Sequence, residues 1–415
     1  MKLIQRLSAQ SGAGRSLPST CKYFSTTSRV TNVAEATPST SNETASSIAS
    51  LKGPTAVVLL NMGGPSTLPE VGDFLYRLFS DKDIIPLGRF QEPLARFITY
   101  RRTPKITQSY KEIGGGSPIR KWSEYQAKKA CELLDKVRPA SAPHKPYVAF
   151  RYANPLTPEL FENLKRDGIK RAIAFSQYPQ YSCATTGSSI NELSRLSKEY
   201  DPNNEIEWSL IDRWPTHPGF VEAVSERIQA ALQKLPAEVR SEAVLLFSAH
   251  SLPMDVVNRG DPYPAEVAAT VWAVMQNLGL SNPYRLTWQS QVGPKAWLGP
   301  QTADAVKTLD SREDCKGIVL IPIAFTSDHI ETSHELDIEI IGEVKNPEKI
   351  VRAESLNGSD TFTKAMADIV VNHLNDYDQK RSTSALNAVK FVRCPMCTSD
   401  RCGPSRDLFE AHNKQ

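Results

Sequence analysis

Eight short apolar runs constrain this chain more than anything else in it. They are TAVVLLNMG from Thr55, YVAFRYA from Tyr147, RAIAFSQYP from Arg171, WSLIDRW from Trp208, EAVLLFSAHS from Glu242, YRLTWQSQVG from Tyr284, GIVLIPIAF from Gly317 and KIVRAESLN from Lys349. Each is nearly continuous in apolar residues. Amphipathic helical patterns lie between them, such as PGFVEAVSERIQAALQKL after Trp214. Strands without polar alternation are buried on both faces, and strands separated by helices pair in parallel. The expected class is therefore α/β. The two sets of four also answer one another in order: LLNMGGPS with LLFSAHSLP, AFRYANP with LTWQSQVGP, IAFSQYPQYS with IPIAFTSDHI. This predicts two similar doubly wound, Rossmann-like domains with parallel sheets, over 53–207 and 208–385. Sites in such sheets lie beyond the carboxyl ends of the strands.

No nucleotide fingerprint accompanies these strands. None is followed by GxGxxG, there is no GxxxxGK[ST], and the GGG at Gly114–Gly116 follows a helical pattern. Residues 1–34 contain Lys2, Arg6, Arg15, Lys22 and Arg29, no Asp or Glu, and dense serine and threonine. That is the composition of a mitochondrial transit peptide. With the polar stretch EATPSTSNETASSIAS, residues 1–50 read as targeting segment and linker. They hold five of the 49 basic and two of the 46 acidic residues, so the whole excess of three positive charges is theirs. The formally neutral remainder offers no footing for nucleic acid. No apolar run approaches the roughly 20 residues that a spanning helix needs.

The stretch FTSDHIETSHELDIE, running on from the strand pattern GIVLIPIAF, concentrates ionisable groups: Asp328, His329, Glu331, His334, Glu335, Asp337 and Glu339. Ser327 or Asp328 is the expected N-cap of a helix. Glu331, Glu335 and Glu339 then form a carboxylate line at i, i+4, i+8, at a cost of roughly 0.2–0.5 kcal/mol per like-charged pair. A zincin motif is excluded, since Ile338 stands where a second histidine is needed. His329 and His334 sit roughly 140° apart on an α-helix and face together only under π winding. A solvated charged helix face is the plainer reading. His250, directly after VLLFSA, is the other ionisable group at a strand end. It is either a hydrogen-bonded structural histidine or a base able to handle a proton or a metal.

Seven cysteines in 415 residues are no disulfide scaffold, but Cys394, Cys397 and Cys402 form C-x2-C-x4-C near the C-terminus. Three thiolates leave a four-coordinate site one short. Cys183, in the strand-end loop QYPQYSCATTG, is the best-placed fourth. Four cysteines suit zinc or a 2Fe–2S cluster, and spacing does not decide between them. Residues 73–102 are rich in Phe, Leu and Ile and end on basic residues. They fit either core-facing helices or a lip lying on a membrane. Arg101, Arg102 and Lys105 are candidates to pair with an acidic ligand.

Taken together, the segments LLNMGGP, RRTPK with Tyr110, IGGGSPI, FRYANP, QYPQYSCATTGSS, DRWPTHP, LFSAHSLP, WQSQVGP, WLGPQT, IPIAFTSDHIET and AESLNG resemble the ferrochelatase family, whose members insert ferrous iron into protoporphyrin. The resemblance runs from about residue 55 to residue 402. It implies that His250 and Glu331 are catalytic, with His329 and Asp328 beside them, and that His217 and Asp368 have catalytic roles. It implies porphyrin contacts from Met62, Arg101, Arg102, Tyr110, Ser117, Arg151 and Tyr152. Glu335 and Glu339 become a metal path on a π-wound helix. Cys183, Cys394, Cys397 and Cys402 become ligands of a 2Fe–2S cluster, with 386–415 as a cysteine-bearing extension. His334 departs from the animal members of the family. The implied partners are protoporphyrin IX, Fe²⁺ as substrate, a second copy in a homodimer and the matrix side of the mitochondrial inner membrane.

The residues suit that chemistry. A free-base porphyrin must lose two pyrrole protons to accept Fe²⁺, so it needs a base and a second acceptor in a cleft whose apolar walls bind the flat ring. The expectation is that His250 and Glu331 face each other across the macrocycle. A porphyrin or haem carrier without turnover, and a chelatase for another metal or tetrapyrrole, are the competing readings.

Overall fold

A computed structural model of the chain describes residues 53–378 and 394–413, with residues 83 and 86 excepted. The expected presequence at 1–50 and residues 386–393 of the extension lie outside the described residues.

Two four-stranded parallel sheets form the frame. The first contains β1 (Thr55–Asn61), β2 (His144–Phe150), β3 (Arg171–Ser176) and β4 (Glu207–Ile211) in the order β2-β1-β3-β4. The second contains β5 (Val244–His250), β6 (Tyr284–Gln289), β7 (Ile318–Pro322) and β8 (Ile350–Arg352) in the equivalent order β6-β5-β7-β8. Two copies of one strand order are what the paired motifs predicted. The expected boundary at 207/208 is corrected. It would cut into β4, whose ladder pairs Trp208 with Ala172 and Ile211 with Phe175. The first sheet therefore runs through Ile211.

Why the apolar runs are continuous is visible in β1, where all seven residues are buried. Val57 and Leu59 enter one core with Phe175 and Phe247, while Ala56, Val58 and Leu60 enter another with Phe161 and Trp208. Each such aliphatic side chain contributes about 1.5–3 kcal/mol relative to exposure. The core holding Phe247 also takes in α3 (Ile119–Val137), α6 (Pro218–Leu232) and α11 (Asp360–Asp378). Helix α11 packs on both of the others, so the two sheets share one apolar interior.

The loops beyond the strand ends are set by close backbone approaches. A Cβ on Gly116 would lie 2.0 Å from the Ser66 carbonyl oxygen, so the last glycine of the GGG run serves close packing of two loops. Both β3 and β7 lead into a π-wound turn, Cys183–Gly187 and Glu335–Ile340 respectively. In the second, Glu339 N–H donates to His334 O at 2.9 Å, the i→i−5 bond of that winding.

The C-terminal segment returns to the first sheet. Helix α12 (Gly403–Asn413) lies on α5 (Ser188–Tyr200) and β4. Phe409 is buried beside Trp208 and Leu193. Ser194 Oγ donates to Pro404 O at 2.9 Å, and Ser405 Oγ to Asn191 Oδ1 at 2.7 Å. This docking carries Cys394, Cys397 and Cys402 back toward the loop after β3.

Candidate active site

His250 is the last residue of β5. Its Nδ1 lies 2.6 Å from Ser251 O. A carbonyl only accepts, so Nδ1 carries the proton, and neutral His250 keeps its lone pair on Nε2. That Nε2 lies 3.7 Å from Glu331 Oε1. His329 Nε2 lies 3.8 Å from the other carboxylate oxygen, Oε2. The expectation that His250 and Glu331 face each other across the macrocycle is therefore corrected. A flat ring in contact with both needs about 7 Å between them, at 3.5–4.0 Å per face. The two groups are neighbours on one wall.

The electrostatics of this wall follow from burial. Burial pushes the Glu331 carboxyl up, His250 pulls it back and Glu335 adds to the rise, leaving it above the usual carboxylate range. Burial lowers His329 to about 4, against the pull of Asp328, so it stays neutral at physiological pH. Its ring packs on Phe325 at 4.5 Å, and its Nδ1 is buried without a partner among the described residues. Tyr110, Tyr178 and Tyr263 all lie in the field of Glu331. Burial first, then that charge, keeps all three phenols neutral.

Asp328 does not share this wall's chemistry. Its carboxylate accepts from Asn357 Nδ2 (2.6 Å), Ser355 Oγ (2.8 Å), Arg352 Nη1 (3.1 Å) and Thr332 Oγ1 (3.1 Å). Burial pushes its pKa up, but Arg352 and these donors together hold it below the usual range. Asp328 positions the loop. His329, with Thr332, caps the short helix α10 (Ile330–Ser333), which replaces the expected Ser327 or Asp328 cap. Asp337 is no free surface charge, since Arg352 Nε donates to its Oδ1 at 2.5 Å.

Glu335 is held by the end of β6. Its Oε1 accepts from Ser290 N–H at 2.8 Å, and its Oε2 from Ser290 Oγ at 2.5 Å and Gln289 Nε2 at 3.2 Å. Ser290 takes a left-handed φ of 65° to do this, a conformation that local strain permits only where surroundings enforce it. Gln289 Nε2 also donates to the Glu331 carbonyl at 2.9 Å, coupling the two glutamates. A cavity of about 410 Å³ opens beside Glu335, lined by Ser290, Gln301, Asp304 and Ile340 among others. Glu339 lies 3.6 Å from His334 Nδ1, and His334 Nε2 meets Glu112 at 2.8 Å. His329 and His334 have different partners, Glu331 for the first and Glu112 and Glu339 for the second.

The first sheet supplies the other predicted residues, with two changes. Tyr110 is buried near the end of α2 (Gln91–Glu112), and Ser117 is buried in the loop after it. Met62 follows β1, its N–H donating to Tyr178 OH at 2.9 Å. Arg101 and Arg102 are exposed on α2 and make no ion pair among the described residues. Arg151 and Tyr152 are turned into a network instead. Arg151 Nη2 donates to Asp81 Oδ2 at 2.9 Å, and the Tyr152 hydroxyl, fully buried, donates to the same oxygen. Their polar ends brace α5 through Ser188. His217 and Asp368 pair at 3.1 Å, and no hydrogen bond or ion pair among the described residues joins them to His250.

Three sulfurs gather at the C-terminal extension. Cys183 and Cys394 share a hydrogen bond, Arg259 Nη2 donates to Cys183 Sγ at 3.6 Å, and Asn191 Nδ2 to Cys402 Sγ at 3.7 Å. Cys397 follows Cys394 by one turn, its N–H donating to Cys394 O at 3.0 Å. Among the described residues no three of His, Cys, Asp or Glu are arranged as a set that could hold a metal ion. The thiol donors converge without closing.

Sequence reasoning missed Ser290, Gln289, Arg352, Tyr178 and Tyr263. Gln289 and Ser290 are the middle of WQSQ, where a strand pattern ends, which was the available signal. Arg352 carried none, because its partners are distant in the chain.

A family model described as Ferrochelatase matches residues 54–374. The chain is 53% identical over 367 residues to the mitochondrial ferrochelatase of Xenopus laevis, covering 88% of this chain and 87% of that one. It is 51% identical over 363 residues to the mitochondrial ferrochelatase of Homo sapiens, covering 86% and 84%. Among solved structures it is similar to SirB from Bacillus subtilis with Fe3+, at a TM-score of 0.47 and 10% identity, covering 79% of this chain and 98% of that one.

Proposed function

The chain belongs to the ferrochelatase family and inserts iron into protoporphyrin, the terminal step of haem synthesis; from that premise we propose that His250 and Glu331 take the two pyrrole protons from one side of the macrocycle. The observation that carries this is the 3.7 Å approach of His250 Nε2, the unprotonated nitrogen, to Glu331. Neutral porphyrin gives up two protons and receives Fe²⁺, so charge balances on the ring. His250 accepts the first proton at Nε2. Glu331, a stronger base than an ordinary carboxylate because it is buried, accepts the second. Met62 and the apolar groups beyond β1 meet the other face. Glu335, beside its cavity, and Glu339 lead Fe²⁺ inward. Anaerobic turnover with protoporphyrin IX and Fe²⁺ tests the whole reading. Protohaem forms catalytically; tight porphyrin binding with no product would mark a carrier.

Two outcomes follow here. Glu331→Gln lowers kcat at least tenfold. In the native protein kcat rises as pH climbs through the raised Glu331 pKa, and in the Gln variant that limb disappears from the pH profile. Exposed Arg102 pairs with a propionate, so Arg102→Ala raises KM for protoporphyrin about tenfold with kcat nearly unchanged. An unchanged KM sinks that contact.

The protein is mitochondrial, like its relatives. No described helix is long and apolar enough to cross a membrane. On the lip, Phe90, Leu94, Phe97 and Tyr100 are exposed by 55, 40, 62 and 79% and recur at helical spacing. That strip supports peripheral seating on a membrane; the matrix face of the inner membrane as that surface, and a homodimer as the assembly, complete the proposal. Cys183, Cys394, Cys397 and Cys402 would hold a 2Fe–2S cluster. Four thiolates are the donor set such a cluster takes, and the sulfurs would have to draw closer than they stand here to close the site. When bound, such a group supplies a one-electron couple and ties the extension to the loop after β3.

A further inference from the structure

One buried polar atom near the cysteines is unexplained by the reaction. The Tyr181 side chain is fully buried, and its hydroxyl has no hydrogen-bond partner among the described residues. A buried hydroxyl is ordinarily satisfied, so an orphan signals a missing acceptor. We infer that the Tyr181 hydroxyl donates a hydrogen bond to a sulfur of the cluster held by Cys183, Cys394, Cys397 and Cys402, and thereby raises its reduction potential. This rests on the cluster reading above.

Geometry places the hydroxyl at the cysteines. The point a Cβ on Gly187 would occupy is 3.1 Å from Tyr181 OH and 3.6 Å from Cys183 Cβ. Glycine at 187, within the π-wound turn, keeps that space open. Cys402, Cys394 and Cys183 all lie within electrostatic reach of the buried phenol. Its ring cannot swing away. The Arg213 guanidinium lies 4.3 Å from the ring centroid and is itself clamped by Asp212 at 2.9 Å and Glu266 at 2.6 Å. Glu266 also accepts from Tyr181 N–H at 2.7 Å. With Arg259 on Cys183 and Asn191 on Cys402, Tyr181 completes a set of outer donors around the sulfurs.

Reduction puts more negative charge on the sulfurs, so a donor stabilises the reduced form more than the oxidised one. The test is Tyr181→Phe in the full chain, purified anaerobically with its metal group. A spectroscopic redox titration is run on both proteins. The potential falls in the variant, by up to about 59 mV, a tenfold change in the reduced-to-oxidised ratio for one electron. The cluster's absorption also decays faster in air. If both proteins carry the cluster and their potentials coincide, the inference is overturned alone. In that case removing an unpaired hydroxyl instead raises the melting temperature. If the native protein holds zinc and shows no iron–sulfur absorption, the cluster reading falls, and this inference with it.

Discussion

His250→Ala lowers kcat for iron insertion by about 10²–10⁴-fold, the usual weight of a positioned general base, and leaves porphyrin affinity within a few-fold of native. The reason is the tautomer. Ser251 O accepts from Nδ1 at 2.6 Å, which leaves Nε2 as the lone pair at the strand end. No other neutral imidazole on the wall can replace it. His329 lies 3.8 Å from Glu331, but its lowered pKa, about 4, makes it a poor proton acceptor near neutrality. On the proposed reading affinity survives, because apolar walls and exposed arginines, not His250, would bind the ring. Steady-state turnover and fluorescence titration with protoporphyrin separate the two effects. A variant with near-native kcat would remove His250 from the proton step.

The architecture was legible because parallel strands buried on both faces leave unbroken apolar runs, and because the two sheets repeat one order of motifs. The placement of His250 at a strand end, and of Glu331 in the segment that follows one, was legible for the same reason. What the chain's linear pattern could not show was which way side chains turn. Asp328 sits between Ser327 and His329 and looks equally catalytic, yet four donors from distant positions claim it. Arg151 and Tyr152 match a porphyrin motif, yet Asp81 takes their polar ends. The distance across the site was equally hidden. Two groups at the ends of β5 and beyond β7 can face or flank, and only the pairing of those adjacent strands decides that they flank.

Arg352→Met destabilises the fold by about 1–3 kcal/mol, the cost of removing one partner from a partly buried charged network. Arg352 is 14% exposed, with Nη1 3.1 Å from Asp328 and Nε 2.5 Å from Asp337. Methionine keeps the aliphatic volume and removes the charge. In the native protein burial raises the Asp328 pKa, and Arg352 together with the Asn357, Ser355 and Thr332 donors outweighs it, so the folded value is depressed. A depressed carboxylate contributes stability above the unfolded pKa, and that contribution is lost as pH falls through the folded one. In the variant only the three neutral donors oppose burial, so the depression shrinks. The variant should therefore lose less stability than the native protein as pH falls through the carboxylate range. Urea unfolding at several pH values reads this flattening directly. Adding Asp328→Asn recovers much of the loss, because the two residues share one interaction and their effects do not add. Activity in the single variant falls as well, since Asp328 anchors the loop that presents His329 and Glu331 to His250. Equal stability of variant and native protein at every pH would show that Asp328 does not depend on Arg352, and that the loop is held by Ser355 and Asn357 alone.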